Sequence, residues 1–146
     1  MEPCAFCAIA AHEVDAVALY ESDTLMAFLD RGAIRRGHTQ IITRAHVPYF
    51  DDLSPEDAAA IVTLGQRLAR RMKKVYGVER VALVFTGGDV AHVHAHVVPL
   101  HEKTDITSAR YIVSPQHVDW SSDHLRQDRA SLEAARVELA FGPDCL

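Results

Sequence analysis

The chain has no apolar run approaching the ~20 residues that span a bilayer, and no long block of like charge. Its 15 basic residues stand against 20 acidic ones, a net charge of −5, so no broad basic field is available to hold nucleic acid or an anionic membrane surface. Cysteine is scarce as well. Three thiols, Cys4, Cys7 and Cys145, cannot build a disulfide framework. The first residues, Met1-Glu2-Pro3-Cys4, lack the basic segment and apolar stretch of a signal peptide, and a cytoplasmic location is the expectation. No repeat, low-complexity tract or linker divides the 146 residues. A single domain over 1–146 is expected, long enough to bury a real core.

What the chain does have is histidine. There are nine, and three fall within five residues in Ala91-His92-Val93-His94-Ala95-His96-Val97-Val98-Pro99. In an extended strand side chains alternate between faces, so His92, His94 and His96 would share one side while Val93, Ala95 and Val97 face the core. Successive imidazoles would then stand roughly 6.5–7 Å apart. Such a row suits proton transfer, nucleophilic attack on phosphorus, or metal ligation.

The pattern along the chain predicts an α+β fold with a mostly antiparallel sheet. Val17–Tyr20 and Leu25–Leu29 read as a hairpin around Glu21-Ser22-Asp23, and Thr39–Thr43 as a β-branched strand. Ser54-Pro55-Glu56-Asp57 is a helix start, with Ser as N-cap, Pro at the first helical position and acids in the first turn. The stripe Ile61, Leu64, Leu68, Met72 and Val75 continues that helix to Gly77. Strands at Val81–Phe85 and Val93–Val98 follow, joined through Gly87-Gly88, and Leu125, Leu132, Ala135 and Leu139 mark a C-terminal helix.

Two constellations could carry chemistry. Cys4 and Cys7 form a Cys-x-x-Cys at the N-terminus, where a metal role is favoured over a redox one. With His46 and His92 they would make a Cys2His2 tetrahedral zinc site, structural because four protein ligands leave no open position. Equally, two such cysteines can be small buried hydrophobes. In the histidine row, the middle imidazole His94 could attack phosphorus through Nε2 while Nδ1 keeps its proton, with His96 holding phosphate oxygens. Alternatively the row itself would hold a catalytic metal, although Asp89 is the only acid nearby.

The His-φ-His-φ-His-φ-φ segment at 92–98 resembles the signature of the histidine triad (HIT) superfamily of nucleotide hydrolases and transferases. Other blocks extend the resemblance over roughly residues 4–100. Cys4-Ala5-Phe6-Cys7 is similar to the zinc knuckle of bacterial members, and Tyr20–Asp23 with Ala27–Asp30 to the strand pair carrying the base and ribose pocket. Gly37-His38-Thr39 and Arg44-Ala45-His46 resemble the family's Gly-His-Thr and Lys/Arg-x-His segments.

The resemblance implies a homodimer whose subunits each carry a five-stranded antiparallel sheet, one long helix and a C-terminal helix. It also implies hydrolysis or transfer of a nucleoside monophosphate from a phosphoanhydride or phosphoramidate, through a covalent nucleotidyl-histidine. His94 would be the nucleophile, and His96 would bind phosphate or assist protonation. His92 would join Cys4, Cys7 and His46 on structural zinc. Asp30 would accept from the ribose hydroxyls, Phe28 and Leu19 would line the base, and His38 would support the triad strand. The partner would be a purine nucleotide or a dinucleoside polyphosphate.

The segment before the triad departs from the family pattern. Gly87-Gly88-Asp89-Val90-Ala91-His92 stands where Gly-Gln-x-Val-x-His is usual, and Val81 and Leu83 occupy the expected Asn and Gly positions. The amide that commonly meets the phosphate is absent at Gly88, and an ionised Asp89 would repel an anion unless turned away. Backbone N–H groups of Gly87 and Gly88 would compensate, as would Arg31, Arg35 or Arg36. The departure motivates a second expectation, a nucleotide-binding module with little catalysis.

Overall fold

The computed structural model describes residues 3–106, 112–114, 116–118 and 123–140; Cys145 lies outside them. Five strands form an antiparallel sheet in the order β1-β2-β3-β5-β4. They are β1 (Ala18–Glu21), β2 (Leu25–Leu29), β3 (Thr39–Thr43), β4 (Arg80–Phe85) and β5 (His94–Leu100). The hairpin turn between β1 and β2 closes where the Leu25 N–H donates to Ser22 Oγ at 3.0 Å, a local bond that Ser is suited to make.

β2 is buried at all five positions, which requires cover on both sides of the sheet. The long helix α2 (Pro55–Tyr76) and the C-terminal α3 (Arg129–Leu139) supply one side, packing Ile61, Leu64, Leu68, Met72, Leu132, Ala135 and Leu139 onto Leu25, Ala27, Leu29, Ile41, Ala95 and Val97. On the other side, Phe6, Ile9 and Ala10 of a short helix α1 (Ala5–Ala10) meet Met26, Phe28 and Ile42. The sequence pattern gives no sign of α1. Six residues carry too little helical periodicity to register, and no side-chain cap marks its start.

The caps of the longer helices follow local chemistry. The Asp57 N–H donates to Ser54 Oγ at 3.0 Å, and Gly77 ends α2 in the left-handed region. The Ser131 N–H donates to Asp128 Oδ1 at 2.7 Å to start α3. Gly37 is required twice over: its φ is +87°, and an added Cβ would come within 2.7 Å of the Tyr76 ring. That close approach seats the 31–37 loop against the end of α2. Arg36 and Tyr76 both donate to Glu138 of α3, at 2.7 and 3.1 Å, which ties the C-terminal helix to the same loop. A further short hairpin, β6 (Ile112–Ser114) with β7 (His117–Val118), was not foreseen.

Candidate functional site

β5 pairs with β3 on one side and β4 on the other, with Gln40 and Val84 both opposite His96. That register puts the histidine face under α1: Phe6 lies 5.0 Å from His94 and 5.8 Å from His92, ring centre to ring centre. The row is tighter than an extended strand predicts. His94 and His96 have ring centres 5.2 Å apart, and His92 precedes the strand proper, fully buried.

Each imidazole is assigned by what its two nitrogens meet. The His92 Nε2–H donates to the Thr43 carbonyl at 2.8 Å, because a carbonyl only accepts. Its Nδ1 lone pair then faces Cys4 Sγ at 3.4 Å and Cys7 Sγ at 3.5 Å, and Cys7 Sγ lies 3.3 Å from His46 Nδ1. In a tetrahedral zinc site, Zn–S near 2.3 Å and Zn–N near 2.0–2.1 Å place sulfur and nitrogen about 3.5 Å apart. The donor set fits the ion, with the second nitrogen of His92 held as zinc-bound histidines usually are.

His94 is held the opposite way round. Its Nδ1–H donates to the His92 carbonyl at 2.7 Å, leaving Nε2 as the outward nitrogen, 3.0 Å from Thr86 Oγ1. The same hydroxyl lies 3.2 Å from His96 Nε2. On the far side, His96 Nδ1 is 2.8 Å from His38 Nε2, while His38 Nδ1 accepts the Ile34 N–H at 3.1 Å. A backbone N–H only donates, so His38 carries its hydrogen on Nε2 and gives it to His96 Nδ1. His96 in turn carries its own hydrogen on Nε2. Burial pushes the His96 pKa down to about 4, with His38 adding to the effect, and burial lowers His38 as well. Geometry agrees: a second proton on His96 Nδ1 would meet the His38 Nε2–H head-on.

Asp30 adjoins this chain, its Oδ2 3.5 Å from His38 Nε2 and 3.9 Å from His96 Nδ1. Burial would raise its pKa, but His38, the Gln40 amide, the Gly32 N–H and His96 together bring it below the ordinary value. Gln40 Nε2 donates to Oδ2 at 2.7 Å and Gly32 N to Oδ1 at 2.8 Å. Asp30, His38 and His96 could together face one ion, yet the 2.8 Å contact between the imidazoles is a hydrogen bond already made.

Next to Asp30 opens a cavity of about 250 Å³, lined by Phe6, Ile9, Ala16 and Phe28 on its apolar side and by Asp30, Arg31 and Gln40 on its polar side. Asp123 and Arg126 complete it from the C-terminal segment, where the Gln127 N–H donates to the Arg31 carbonyl at 2.8 Å. His94 and His96 are not in its lining; Phe6 and Asp30 connect it to them.

Most of the residues singled out in the sequence thus converge, with exceptions. Leu19 is a correction: it packs with the cluster beneath α2 and α3, on the face of the sheet opposite Phe28 and the cavity. Leu19 keeps step with Val17 on that face while Ala16 and Ala18 take the other; the bulge between Ala18 and Tyr20 then brings Tyr20 onto the same core. Gly87 and Gly88 sit exposed in the loop after β4, outside the cavity lining; a Cβ added at Gly87 would touch Tyr49, and one at Gly88 would meet nothing. Asp89 is exposed. Arg35 and Arg36 are committed to Asp105 and Glu138. Thr86 was missed, since only the β4–β5 register brings it opposite the histidines.

The model of the HIT domain matches residues 11–103. The chain belongs to the HIT family. It is 36% identical over 140 residues to an uncharacterized HIT-like protein of Mycobacterium tuberculosis, covering 91% of this chain and 97% of that one. It is 31% identical over 101 residues to the adenosine 5'-monophosphoramidase hnt1 of Schizosaccharomyces pombe, covering 66% and 73%. Among solved structures it resembles a zinc-bound histidine triad family protein of Mycobacterium smegmatis, with a TM-score of 0.68 and 26% identity over 93% of this chain and 92% of that one. A HIT fold was the expectation, and the five-stranded antiparallel sheet with its helices agrees with it.

Proposed function

We propose that this HIT protein is a nucleotidyl hydrolase or transferase that works through a covalent nucleotidyl-His94, with structural zinc on Cys4, Cys7, His46 and His92. The observation that carries the reading is the fixed His94 ring, whose Nδ1–H is spent on the His92 carbonyl while Nε2 is left as the attacking nitrogen. The nucleoside would enter the cavity with its base beside Phe28 and its ribose hydroxyls on the Asp30 carboxylate. Nε2 would then form a bond to the α-phosphorus as the bond to the leaving group breaks, the leaving group departing with its electron pair and, where it is an amine, a proton from solvent that the water of the second step gives back. Water cleaves the phosphorus–nitrogen bond in the second step, releasing the nucleoside monophosphate and restoring neutral His94. The adenosine 5'-monophosphoramidase among its relatives supports an adenosine phosphoramidate or phosphoanhydride as substrate, dinucleoside polyphosphates included.

Zinc would tie the N-terminal helix to the start of β5, and so hold Phe6 over the nucleophile. Two copies would pair along β4, an edge strand of the sheet that presents Leu83 to solvent. A reduced Cys-x-x-Cys that binds zinc suits the cytoplasm. The test is an incubation with nucleotide labelled at the α-phosphate, quenched in alkali. Acid-labile label on His94 is expected. Turnover without label, abolished by chelation, would point instead to a metal-centred hydrolase; tight binding without turnover would point to a binding module.

A further inference from the structure

Thr86 lies one residue beyond the end of β4. Val84 is paired with His96 and Phe85 with Ala95, so continuing the register sets Thr86 across from His94, on the histidine face. Its single hydroxyl stands 3.0 Å from His94 Nε2 and 3.2 Å from His96 Nε2. The hydrogen directions along this line are fixed from both ends. From one end, the Ile34 N–H sets His38, which sets His96, which must then donate from Nε2 to the threonine oxygen. From the other, the His92 carbonyl sets His94, whose Nε2 can then only accept when the ring is neutral. The two directions meet at Thr86 without conflict: Oγ1 accepts from His96 and donates to His94. A hydroxyl is the one group in the chain able to redirect its hydrogen by rotating about a single bond, with no heavy atom moved.

We propose that Thr86 is a further catalytic residue, capping the attacking nitrogen of His94 in the free protein and delivering its O–H to the phosphoryl group during transfer. The inference rests on His94 as nucleophile. When phosphorus approaches Nε2, the threonine hydrogen must leave that lone pair, and the nearest place for it is a phosphoryl oxygen where negative charge is growing. Thr86 keeps its hydrogen throughout. Nε2 supplies the electron pair of the new phosphorus–nitrogen bond, and the leaving group takes the pair of the broken one together with a proton from solvent. The His96 N–H, still donating to Oγ1, strengthens the threonine as a donor. A donor aimed where charge develops accelerates the step by on the order of 10²–10³-fold. In this way a hydroxyl contributes at a site where the amide common in the family is missing.

Thr86 is exposed, so Thr86→Val keeps the branched shape and leaves the core undisturbed. The experiment compares wild type, T86V and T86S in single turnovers with α-labelled adenosine 5'-phosphoramidate, together with ¹⁵N shifts of the imidazoles without nucleotide. T86V is expected to form labelled His94 about 10²-fold more slowly, with KM little changed, and T86S to recover most of the rate. The His94 Nε2 resonance should move in T86V and return in T86S. Labelling by T86V at the wild-type rate, or T86S no faster than T86V, would overturn the proposal. Should the wild type carry no label, the reading of His94 fails instead, while an Nε2 resonance unchanged in T86V counts against the threonine contact itself.

Discussion

One strand serves two chemistries, and the difference lies in which imidazole nitrogen the backbone takes. At the entry to β5, the Thr43 carbonyl takes Nε2–H of His92 and turns Nδ1 toward two thiols. Two residues on, the His92 carbonyl takes Nδ1–H of His94 and turns Nε2 toward the exposed Thr86. Identical side chains on one face are thus assigned opposite tautomers by carbonyl placement alone. A ligand wants burial and a fixed lone pair; a nucleophile wants a fixed lone pair with room in front of it.

The largest expected effects separate these two ends. His94→Ala should abolish nucleotidyl transfer, by about 10⁴-fold or more, while keeping metal content and melting temperature close to wild type. His92→Ala should do the reverse first, losing zinc and stability, with activity falling as a consequence. Equal loss of metal in both variants would erase the distinction. Cys4→Ser comes next: zinc content measured after dialysis should drop, with destabilisation of more than about 3 kcal/mol by denaturant titration. Unchanged zinc would remove the knuckle from the account.

Acid probes the other end. His96 has its pKa pushed from 6.5 down to about 4. Between those values the unfolded chain binds the proton and the folded one does not, so stability falls as pH drops through that window. The sign is that of a buried neutral base, and the loss is on the order of 3 kcal/mol once pH 4 is reached. Asp30, held below its ordinary value, contributes in the same direction at still lower pH. Denaturant midpoints from pH 7.5 to 4 should show it, and a flat profile would contradict the buried chain. The smallest contrast concerns the cavity. Phe28→Ala should raise KM for an adenosine nucleotide about tenfold, and Leu19→Ala, on the opposite face, should leave KM alone.

How much of this could be read in the chain depends on the range of each interaction. The cap at Ser54, the stop at Gly77 and the strand at Thr39–Thr43 are local, and they stand where the pattern put them. The Cys-x-x-Cys signalled a metal by spacing; His46 and His92 were candidates by ligand type, and the resemblance implied the same set, but only the fold brings the four donors together. Leu19 failed because alternation alone does not say which face of β1 meets the cavity: Leu19 and Val17 share the face under α2 and α3, and Ala16 and Ala18 take the other. Thr86 escaped notice, and His38 was expected only to support the triad strand rather than to bond His96, for another reason. Their partners lie across strands, at separations of 8–10 and 58 residues, so only register places them. The C-terminal side of the cavity, Asp123 and Arg126, is likewise brought in by the docking of α3 onto the core.

Long-range ¹H–¹⁵N correlation spectra of the zinc-loaded protein at neutral pH report each imidazole's tautomer directly. His92 should appear as the Nε2–H form with Nδ1 on the metal, His94 as Nδ1–H, and His96 as Nε2–H. A His94 found in the Nε2–H form would contradict the account, since the nitrogen assigned to attack phosphorus would then have no lone pair to offer.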